Sequence, residues 1–173
     1  MERHKAIAIP VCFINGEPNF LIVHDKRFHE WTFVTGGCRK REIFNPLRCA
    51  LRELEEETRG VVNITHGAYS YFHFAVKDIC DVLNVYHVYI IDFPMSHEDQ
   101  KSIIDQFEIK KKLMDNNYIR FKKQYDENDS IEFDTIKGIK DRKDLWSMIN
   151  ESVIKNNEFY RALYSTSRTP FKI

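Results

Sequence analysis

The stretch from Asn45 to Gly60 constrains the fold more than any other part of this sequence. Asn45 is a residue type that favours the N-cap of a helix, and Pro46 suits the first helical position. The run LRCALRELEEET that follows consists mainly of strong helix formers, and Gly60 stands where helices commonly end. Because β-prone segments lie on both sides of it, the sequence predicts a short, sharply bounded helix between strands.

Segments rich in β-branched and aromatic residues predict a sheet around this helix, which indicates an α/β or α+β sandwich. Turn residues 16–19 separate the first two segments and predict a hairpin. A polar helical pattern predicts an insertion at about 96–125, and an amphipathic pattern predicts a helix from about 144 to 164. The tail after Ser165 shows no periodicity. The predicted strands cover residues 6–15, 20–25, 31–34, 61–76, 82–93 and 131–136.

Length and composition indicate an ordinary globular protein, and residues 1–173 are predicted to form a single domain. Lys plus Arg and Asp plus Glu both number 26, which argues against a protein that coats nucleic acid by charge alone. The four cysteines include no C-x-x-C pair, which favours free thiols in a reducing compartment. No segment approaches the ~20 apolar residues that span a bilayer, and the N-terminal apolar run is too short for a signal peptide. We therefore expect a cytoplasmic protein without a membrane segment.

One edge of the predicted helix carries three carboxylates. At ~100° per residue, Glu53, Glu56 and Glu57 fall within a ~100° arc, while the leucines of the helix share a neighbouring arc. Like charges on adjacent turns repel, and a hard divalent cation removes that repulsion because such cations prefer carboxylate oxygens. The pattern therefore predicts a Mg²⁺ site, with Mn²⁺ as the alternative ion. A solvated, glutamate-rich helix face is the competing interpretation of these three residues taken alone.

The residues before the helix make this pattern more specific. Gly36-Gly37 follows a predicted strand, Glu42 lies in the loop, and Arg52 opens the acidic run RELEEET. These residues resemble the box of the Nudix hydrolase family, G-x5-E-x7-R-E-U-x-E-E-x-G-U with U apolar, over residues 36–61. The resemblance implies an α/β/α sandwich with a mixed β-sheet between the helices. It also implies a Mg²⁺-dependent enzyme that hydrolyses a nucleoside diphosphate linked to another moiety.

The resemblance further implies a role for each residue of the box. The three helix glutamates would bind the metal as catalytic ligands, and the backbone carbonyl of Gly36 or Gly37 would add a ligand. Glu42 and Arg52 would pair with each other and hold the loop against the helix, which keeps the metal ligands in place.

The sequence departs from the family pattern at two positions. Nine residues separate Glu42 from Arg52, where the family has seven, so the loop is expected to be altered. Arg59 occupies the place of the box glycine and Gly60 follows it, so the end of the helix is expected to be shifted or extended. Neither change removes a metal-binding carboxylate, and we therefore expect the chain to be active.

Two further sets of residues are candidates for function. Glu132, on the last predicted strand, is a candidate general base or extra metal ligand outside the box, or else a surface residue of an alternating strand. Most aromatic residues near the expected cleft should belong to the core, and one or two of them are candidates for stacking on a base. These aromatic candidates are Trp31, Phe33, Tyr69, Tyr71, Phe72 and Phe74.

The predicted insertion carries an excess of basic residues. Between Lys101 and Lys123, seven basic side chains stand against three acidic ones, and Phe107, Tyr118 and Phe121 interleave with them. The excess predicts a surface that contacts an RNA backbone or a polyphosphate, unless it is only a solvated helix face. The proposed contact residues are Lys110, Lys111, Lys112, Arg120, Lys122 and Lys123.

The box leaves the group attached to the nucleoside diphosphate open. The basic insertion and the style of the box resemble Nudix decapping proteins of large cytoplasmic DNA viruses, so we predict the mRNA cap as the first substrate. Small nucleotides such as ADP-ribose, dinucleotide polyphosphates or oxidised nucleotides are the second possibility, and diphosphoinositol polyphosphates are the third. The alternative from another class is an inactive Nudix module that binds RNA or protein, against which the complete glutamate trio argues. No obligate protein partner is evident in the sequence.

Overall fold

The fold is built on a β-sheet of eight strands. The computed structural model describes residues 1–117, 120 and 122–173. The strands are β1 (Glu2–Ile14), β2 (Glu17–Asp25), β3 (Glu30–Thr32), β4 (Val34–Gly37), β5 (His66–Lys77), β6 (Leu83–Asp92), β7 (Asn128–Asp134) and β8 (Thr169–Lys172). The helices are α1 (Pro46–Glu57), α2 (His97–Asp115), α3 (Ile136–Lys140), α4 (Ser147–Ile149) and α5 (Asn157–Leu163).

The sheet is mixed, as the family resemblance implied. Six strands follow the order β3-β2-β1-β6-β5-β8, while β4 pairs with β1 and β7 pairs with β2. The long pairing of β1 with β6 is parallel, and the other pairings of named strands are antiparallel. Asn15 and Gly16, both at positive φ, form the tight turn between β1 and β2, because a two-residue hairpin needs this backbone. The predicted hairpin is therefore confirmed.

Successive residues of β1 point to opposite faces of the sheet, and because both sets are apolar, both faces are buried. Ile7 and Ile9 belong to one core, which also contains residues of α3, α4 and α5. Ala6 and Ala8 belong to the other core, which contains residues of α1 and α2. Helices thus cover both faces of the sheet, and this arrangement confirms the predicted α/β/α sandwich.

Helix α1 begins and ends close to the predicted positions. Pro46 is its first residue, but the side chain of Asn45 makes no capping hydrogen bond within the described part of the chain. At the other end, the Gly60 amide donates to the Glu55 carbonyl at 2.7 Å. Arg59 and Gly60 have φ of +57° and +78°, so the left-handed turn that stops the helix extends over both residues.

The C-terminal part of the chain differs from its prediction. The helix expected from about 144 to 164 is broken, because α4 continues as a π-helical turn through Ile154 and α5 begins only after Asn156. The Asn156 side chain accepts a hydrogen bond from the Glu158 amide at 3.0 Å and so caps a new helix. The tail after Ser165 forms β8, which pairs with β5. Four residues are too few to show a periodic pattern, and the sequence therefore gave no signal for this strand.

The predicted insertion forms α2 and a short helical turn before β7. Ser96 caps α2 by accepting a hydrogen bond from the Asp99 amide at 3.1 Å. Phe107 and Met114 are its buried apolar residues. Tyr118 and Phe121, which the sequence placed among the basic residues, lie outside the described residues. Of the helices in the described ranges, none is long and apolar enough to cross a membrane.

Candidate metal centre

The acidic edge of α1 lies directly against the glycine turn at the end of β4. A Cβ added to Gly36 would overlap the Glu53 carboxylate, so the turn and the helix pack this closely because residue 36 has no side chain. The Thr35 amide also donates to Oε2 of Glu57 at 3.2 Å. The glycine turn and helix α1, which lie close together along the chain, are therefore also in contact in the fold.

Glu53 and Glu57 meet a third carboxylate, that of Glu127. Each of the three side chains offers one oxygen, and these oxygens all lie within 4.8 Å of one another. Glu127 immediately precedes β7, so the cluster combines one helix with a strand that is distant in sequence. Glu53 and Glu57 are almost completely buried, whereas Glu127 is exposed. The cluster is therefore open to solvent on the Glu127 side.

These carboxylates concentrate negative charge at a largely buried position. Burial raises the pKa of Glu53 to about 7, and burial together with the charge of Glu53 raises the pKa of Glu57 well above its usual value. Burial and the charge of Glu56 also raise the pKa of Glu127. Oxygen donors that repel one another at this spacing suit a hard divalent cation. The donor set therefore fits Mg²⁺ or Mn²⁺, the ions that the sequence predicted.

Arg52 connects the loop, the glycine turn and the helix. Its Nε and Nη2 donate to the two carboxylate oxygens of Glu42 at 2.8 and 2.9 Å, and this bidentate contact lowers the pKa of Glu42. Nη1 donates to Glu53 at 2.9 Å and to Glu56 at 3.1 Å. The expected pair of Glu42 and Arg52 is thus present, because the loop ahead of α1 absorbs the two extra residues.

Glu56 and Gly37, both expected to bind the metal, face arginines. Oε2 of Glu56 accepts from Arg52, and Oε1 of Glu56 lies 3.7 Å from Nη2 of Arg39. The Gly37 carbonyl accepts from Nη2 of Arg52 at 3.1 Å. Glu56 is therefore adjacent to the group formed by Glu53, Glu57 and Glu127 but is not one of its members. Metal ligation by Glu56 or Gly37 remains a proposal, in which each would use an oxygen lone pair that Arg52 does not occupy.

The sequence pointed to Glu132 as the glutamate outside the box, whereas the structure brings Glu127 to the cluster. Ile131 packs into the core beside α1, and side chains alternate along β7, so Glu132 faces the opposite side of the sheet. There the charge of Arg142 acts on it. The acidic loop 126–130 (DENDS) was the available signal for Glu127, but only the folded sheet shows which of its members reaches α1.

Arg59, at the place of the box glycine, holds the loop that carries Glu127. Its Nη2 donates to the Asn128 carbonyl at 2.7 Å and to Oδ1 of Asp126 at 3.2 Å, so it binds the residues on both sides of Glu127. The Asn128 side-chain amide in turn donates to the Glu57 carbonyl at 3.2 Å. Hydrogen bonds therefore fix this loop to the end of α1.

Residues of helix α2 pack against Arg59. Arg59 is only 1% exposed, and its guanidinium lies over the Phe107 ring at 5.0 Å from the centroid. Nη1 donates to the Met114 sulfur at 3.3 Å. The Lys110 ammonium donates to the Arg59 carbonyl at 3.0 Å. The departure from the family pattern at Arg59 and the helical insertion are therefore parts of one packing arrangement.

The six basic residues predicted to contact RNA occupy different environments. Lys110 is engaged with the backbone of Arg59, and Lys111 is half-buried. The exposed members of the set are Lys112, Arg120, Lys122 and Lys123. These four residues are therefore the ones that a contact surface for RNA or polyphosphate would use.

Two solvent-open cavities meet at the carboxylate cluster, one containing Glu127 and the other containing Glu57. We call them the Lys123 cavity, of about 900 Å³, and the Trp146 cavity, of about 390 Å³. The Lys123 cavity is lined by Asp25, Lys26, Arg27, Phe28, Lys123, Gln124, Asp126 and Glu127. The Trp146 cavity is lined by Lys5, Asp25, Phe28, Glu30, Thr32, Thr35, Gly36, Gly37, Glu57 and Trp146.

The first 111 residues contain the elements that position this cluster, apart from β7. Residues 2–111 match the family model described as the NUDIX domain. The chain belongs to the Nudix family. The match confirms the prediction of a Nudix pyrophosphohydrolase. No curated protein sequence matches this Nudix chain.

Solved Nudix structures share the fold of this chain. The Ap4A hydrolase of C. elegans has a TM-score of 0.56 at 10% identity, covering 94% of this chain and 96% of that chain. The NUDIX domain of Shewanella oneidensis NrtR, solved with ADP ribose, has a TM-score of 0.52 at 12% identity, covering 87% and 83%. The Nudix hydrolase RenU of M. smegmatis has a TM-score of 0.53 at 12% identity, covering 83% and 76%. At these sequence identities, the similarity shows a shared fold and nothing more specific.

Mg²⁺ is expected to stabilise this Nudix protein more at about pH 8 than at about pH 6. The folded-state pKa of Glu53, about 7, lies above the ordinary glutamate value of 4.5, so the protonated form is favoured in the fold. The metal-free protein therefore loses stability as the pH rises from about 4.5 towards 7. Mg²⁺ takes the place of that proton, and its stabilising effect must grow over the range where the proton leaves. Thermal unfolding with Mg²⁺ and with EDTA checks this, and a Mg²⁺-induced shift in Tm that shrinks with rising pH would contradict carboxylate ligation.

Gly36→Ala is expected to weaken Mg²⁺ binding and hydrolysis by about 100-fold, because the added Cβ displaces the Glu53 carboxylate. Gly37→Ala is the matched control, since it keeps its backbone carbonyl and its added Cβ meets no atom within 4 Å. Titration calorimetry with Mg²⁺ measures both variants. Equal losses in the two variants would show that the close approach at residue 36 does not position Glu53.

Proposed function

We propose that this protein uses Mg²⁺ held by Glu53, Glu57 and Glu127 to hydrolyse a phosphoanhydride bond in a nucleoside diphosphate linked to a second moiety. The observation that carries the proposal is the position of the carboxylate cluster between two cavities. A substrate whose phosphates contacted the metal would place its nucleoside in one cavity and the linked moiety in the other. Volumes of about 390 and 900 Å³ suit such groups.

Each group around the cluster has a distinct part in this reaction. The bound metal supplies a Lewis acid that neutralises charge on the phosphates and activates a water molecule. Arg52 fixes the orientation of Glu53, to which it donates at 2.9 Å, and Arg59 fixes the loop that carries Glu127. Because Glu57 is buried, the electrostatic interaction of its carboxylate with a bound metal would be stronger than in water.

Capped RNA is the first substrate that we propose. The larger cavity contains Arg27 and Lys123 beside the exposed glutamate of the cluster, together with Lys26, whose ammonium pairs with Asp126 at 2.7 Å. Exposed basic residues of the insertion continue from this cavity along the chain, as at Lys122. Basic side chains attract the phosphates of a nucleic-acid backbone. The RNA chain would therefore leave through the Lys123 cavity while the cap nucleoside occupies the Trp146 cavity.

Small nucleotides with a group on each side of a pyrophosphate are the second candidates. Proteins that share this fold include an Ap4A hydrolase and a domain solved with ADP ribose, and both ligand types have this layout. Diphosphoinositol polyphosphates fit less well, because they have no base for the aromatic wall formed by Phe28 and Trp146. Dinucleotide polyphosphates and ADP-ribose thus remain the proper comparison substrates for capped RNA.

Incubation of the purified protein with Mg²⁺ and each of three substrates tests this assignment. The substrates are cap-labelled RNA, diadenosine tetraphosphate and ADP-ribose. We expect release of the capped nucleoside diphosphate from RNA. Cleavage of the small molecules alone would show that decapping is wrong. Cleavage of none of the substrates would remove the hydrolase proposal in favour of a Nudix module that only binds RNA or protein.

The basic residues of the Lys123 cavity give a prediction that separates the two substrate classes. Changing both Arg27 and Lys123 to alanine is expected to slow RNA cleavage by about tenfold and to flatten its dependence on salt, because phosphate contacts are lost. Cleavage of a small nucleotide should change by less than about threefold. Lys77→Ala, on an exposed lysine outside both cavities, is the control for loss of positive charge. Unchanged RNA kinetics in the double variant would rule out this path for the RNA.

A further inference from the structure

We infer that the Trp146 cavity binds a guanine base, an inference that rests on the proposed function. The cavity adjoins the metal cluster at Glu57, and its volume of about 390 Å³ is that of a small-ligand pocket. Two aromatic side chains, those of Phe28 and Trp146, stand in its wall. Neither is among the aromatic residues that the sequence suggested for base stacking.

Hydrogen bonds fix the backbone that presents these two aromatic side chains. Oδ1 of Asp25 accepts from the amides of Arg27 and Phe28, both at 2.8 Å, and this contact holds the turn after β2. The Trp146 amide donates to the Trp31 carbonyl at 2.9 Å. Phe28 is nevertheless 63% exposed, with the Arg27 guanidinium 5.0 Å from the centroid of its ring, so an apolar ring is held at the edge of an open cavity. A flat ligand that stacks on this ring covers it at little cost in conformational entropy.

Hydrogen-bond acceptors dominate the polar part of the cavity wall. The Thr32 and Thr35 hydroxyls both donate to the Phe33 carbonyl, at 2.8 and 2.9 Å, and are therefore already used as donors. Asp25 and Glu30 contribute carboxylates. Within residues 1–117, 120 and 122–173, the Glu30 carboxylate has neither a hydrogen-bond donor nor an ion-pair partner. The wall thus offers a free carboxylate to a ligand that carries N–H donors.

Guanine is the base whose edge matches this wall. Its N1–H and N2–H groups point in the same direction and suit the two oxygens of one carboxylate, whereas adenine has an acceptor at N1 in that position. Lys5, the basic residue of the wall, has its ammonium 5.6 Å from the centroid of the Tyr86 ring and is the donor that O6 of guanine would use. The cavity therefore selects guanine over adenine through Glu30, and Phe28 and Trp146 provide stacking for either purine.

Calorimetric titration of the protein in Mg²⁺ with GDP, ADP and 7-methyl-GDP tests the inference. We expect GDP to bind at least about tenfold more tightly than ADP. Phe28→Ala should weaken both by about tenfold, because the stacking surface is lost. Glu30→Gln should weaken GDP alone and bring it within about threefold of ADP. Phe44→Ala, which removes a ring 94% exposed outside both cavities, and Glu17→Gln are the matched controls.

Each outcome of this titration either supports or overturns the guanine site. Equal affinity for GDP and ADP in the unaltered protein, or an unchanged preference in Glu30→Gln, overturns it. A tighter complex with 7-methyl-GDP identifies the capped end of RNA as the source of the base, because the positive charge adds a cation–π contact. Equal affinity for 7-methyl-GDP and GDP identifies an unmodified guanine nucleotide instead.

Binding and hydrolysis are measured separately, so the two proposals fail in different ways. A preference for GDP in a protein that cleaves none of the substrates supports the guanine site and removes the proposed function. Cleavage without any preference for GDP supports the proposed function and removes the guanine site.

Discussion

Glu57→Gln is expected to lower kcat by about a thousandfold, which corresponds to roughly 4 kcal/mol of transition-state stabilisation. Glu57 is the most deeply buried donor of the carboxylate cluster, and a neutral amide offers Mg²⁺ only a carbonyl oxygen without the negative charge of a carboxylate. Initial rates at saturating Mg²⁺ measure the effect. Glu55→Gln is the matched control, because the same change on the same helix affects a residue outside the cluster.

The same variant should behave oppositely in a stability measurement. Burial disfavours the charged form of Glu57, so a neutral side chain at this position is expected to leave the Tm in EDTA unchanged or to raise it. The rise in Tm on adding Mg²⁺ should disappear. Activity that falls together with the Tm in EDTA would instead indicate that Glu57 serves the fold.

Arg59→Gly is expected to lower the free energy of unfolding by about 3 kcal/mol. The change removes hydrogen bonds to Asp126, Asn128 and Met114 from a side chain that is 1% exposed, and breaking such a buried network costs about 3–5 kcal/mol. Relief of the left-handed backbone at φ +57° offsets part of this, by about 1 kcal/mol. Urea-induced unfolding measures the difference.

A matched variant separates the backbone effect from the loss of the side chain. Asn117 has the same φ of +57° and is exposed, and asparagine adopts the left-handed region at lower cost than arginine, so Asn117→Gly should change stability by less than about 0.5 kcal/mol. Arg59→Lys keeps the charge but cannot bind Asp126 and Asn128 with one planar group, and it should also be destabilised. Mg²⁺ affinity should fall in both Arg59 variants, because Glu127 is no longer held. Variants with normal Mg²⁺ affinity would show that Arg59 does not position Glu127.

The part of the site that lies on α1 was predictable because helix geometry is local. Glu53 and Glu57 are related by i and i+4, so their shared edge follows from the period of the helix alone. The contact of this edge with Gly36 was implied by the family resemblance, and the structure shows its physical reason, which is the missing side chain at residue 36.

The remaining parts of the site depend on contacts that no short-range pattern contains. Glu127 reaches α1 because β7 pairs with β2 and because Arg59 binds its neighbours. Glu132, the candidate from the sequence, lies on β7 itself, whereas Glu127 immediately precedes this strand, and a catalytic role for Glu132 stays a prediction. Phe28 and Trp146 come from separate loops, and only the folded chain places them in one cavity.

The pairing of Glu127 with the helix glutamates has a kinetic consequence. A metal ion at this position would link α1 to the start of β7. These two segments come together only after β7 has paired with β2. The unfolded chain does not present such a site, so the ion acts as a reversible crosslink of the native state. Mg²⁺ should therefore slow unfolding of the protein while leaving its rate of folding almost unchanged.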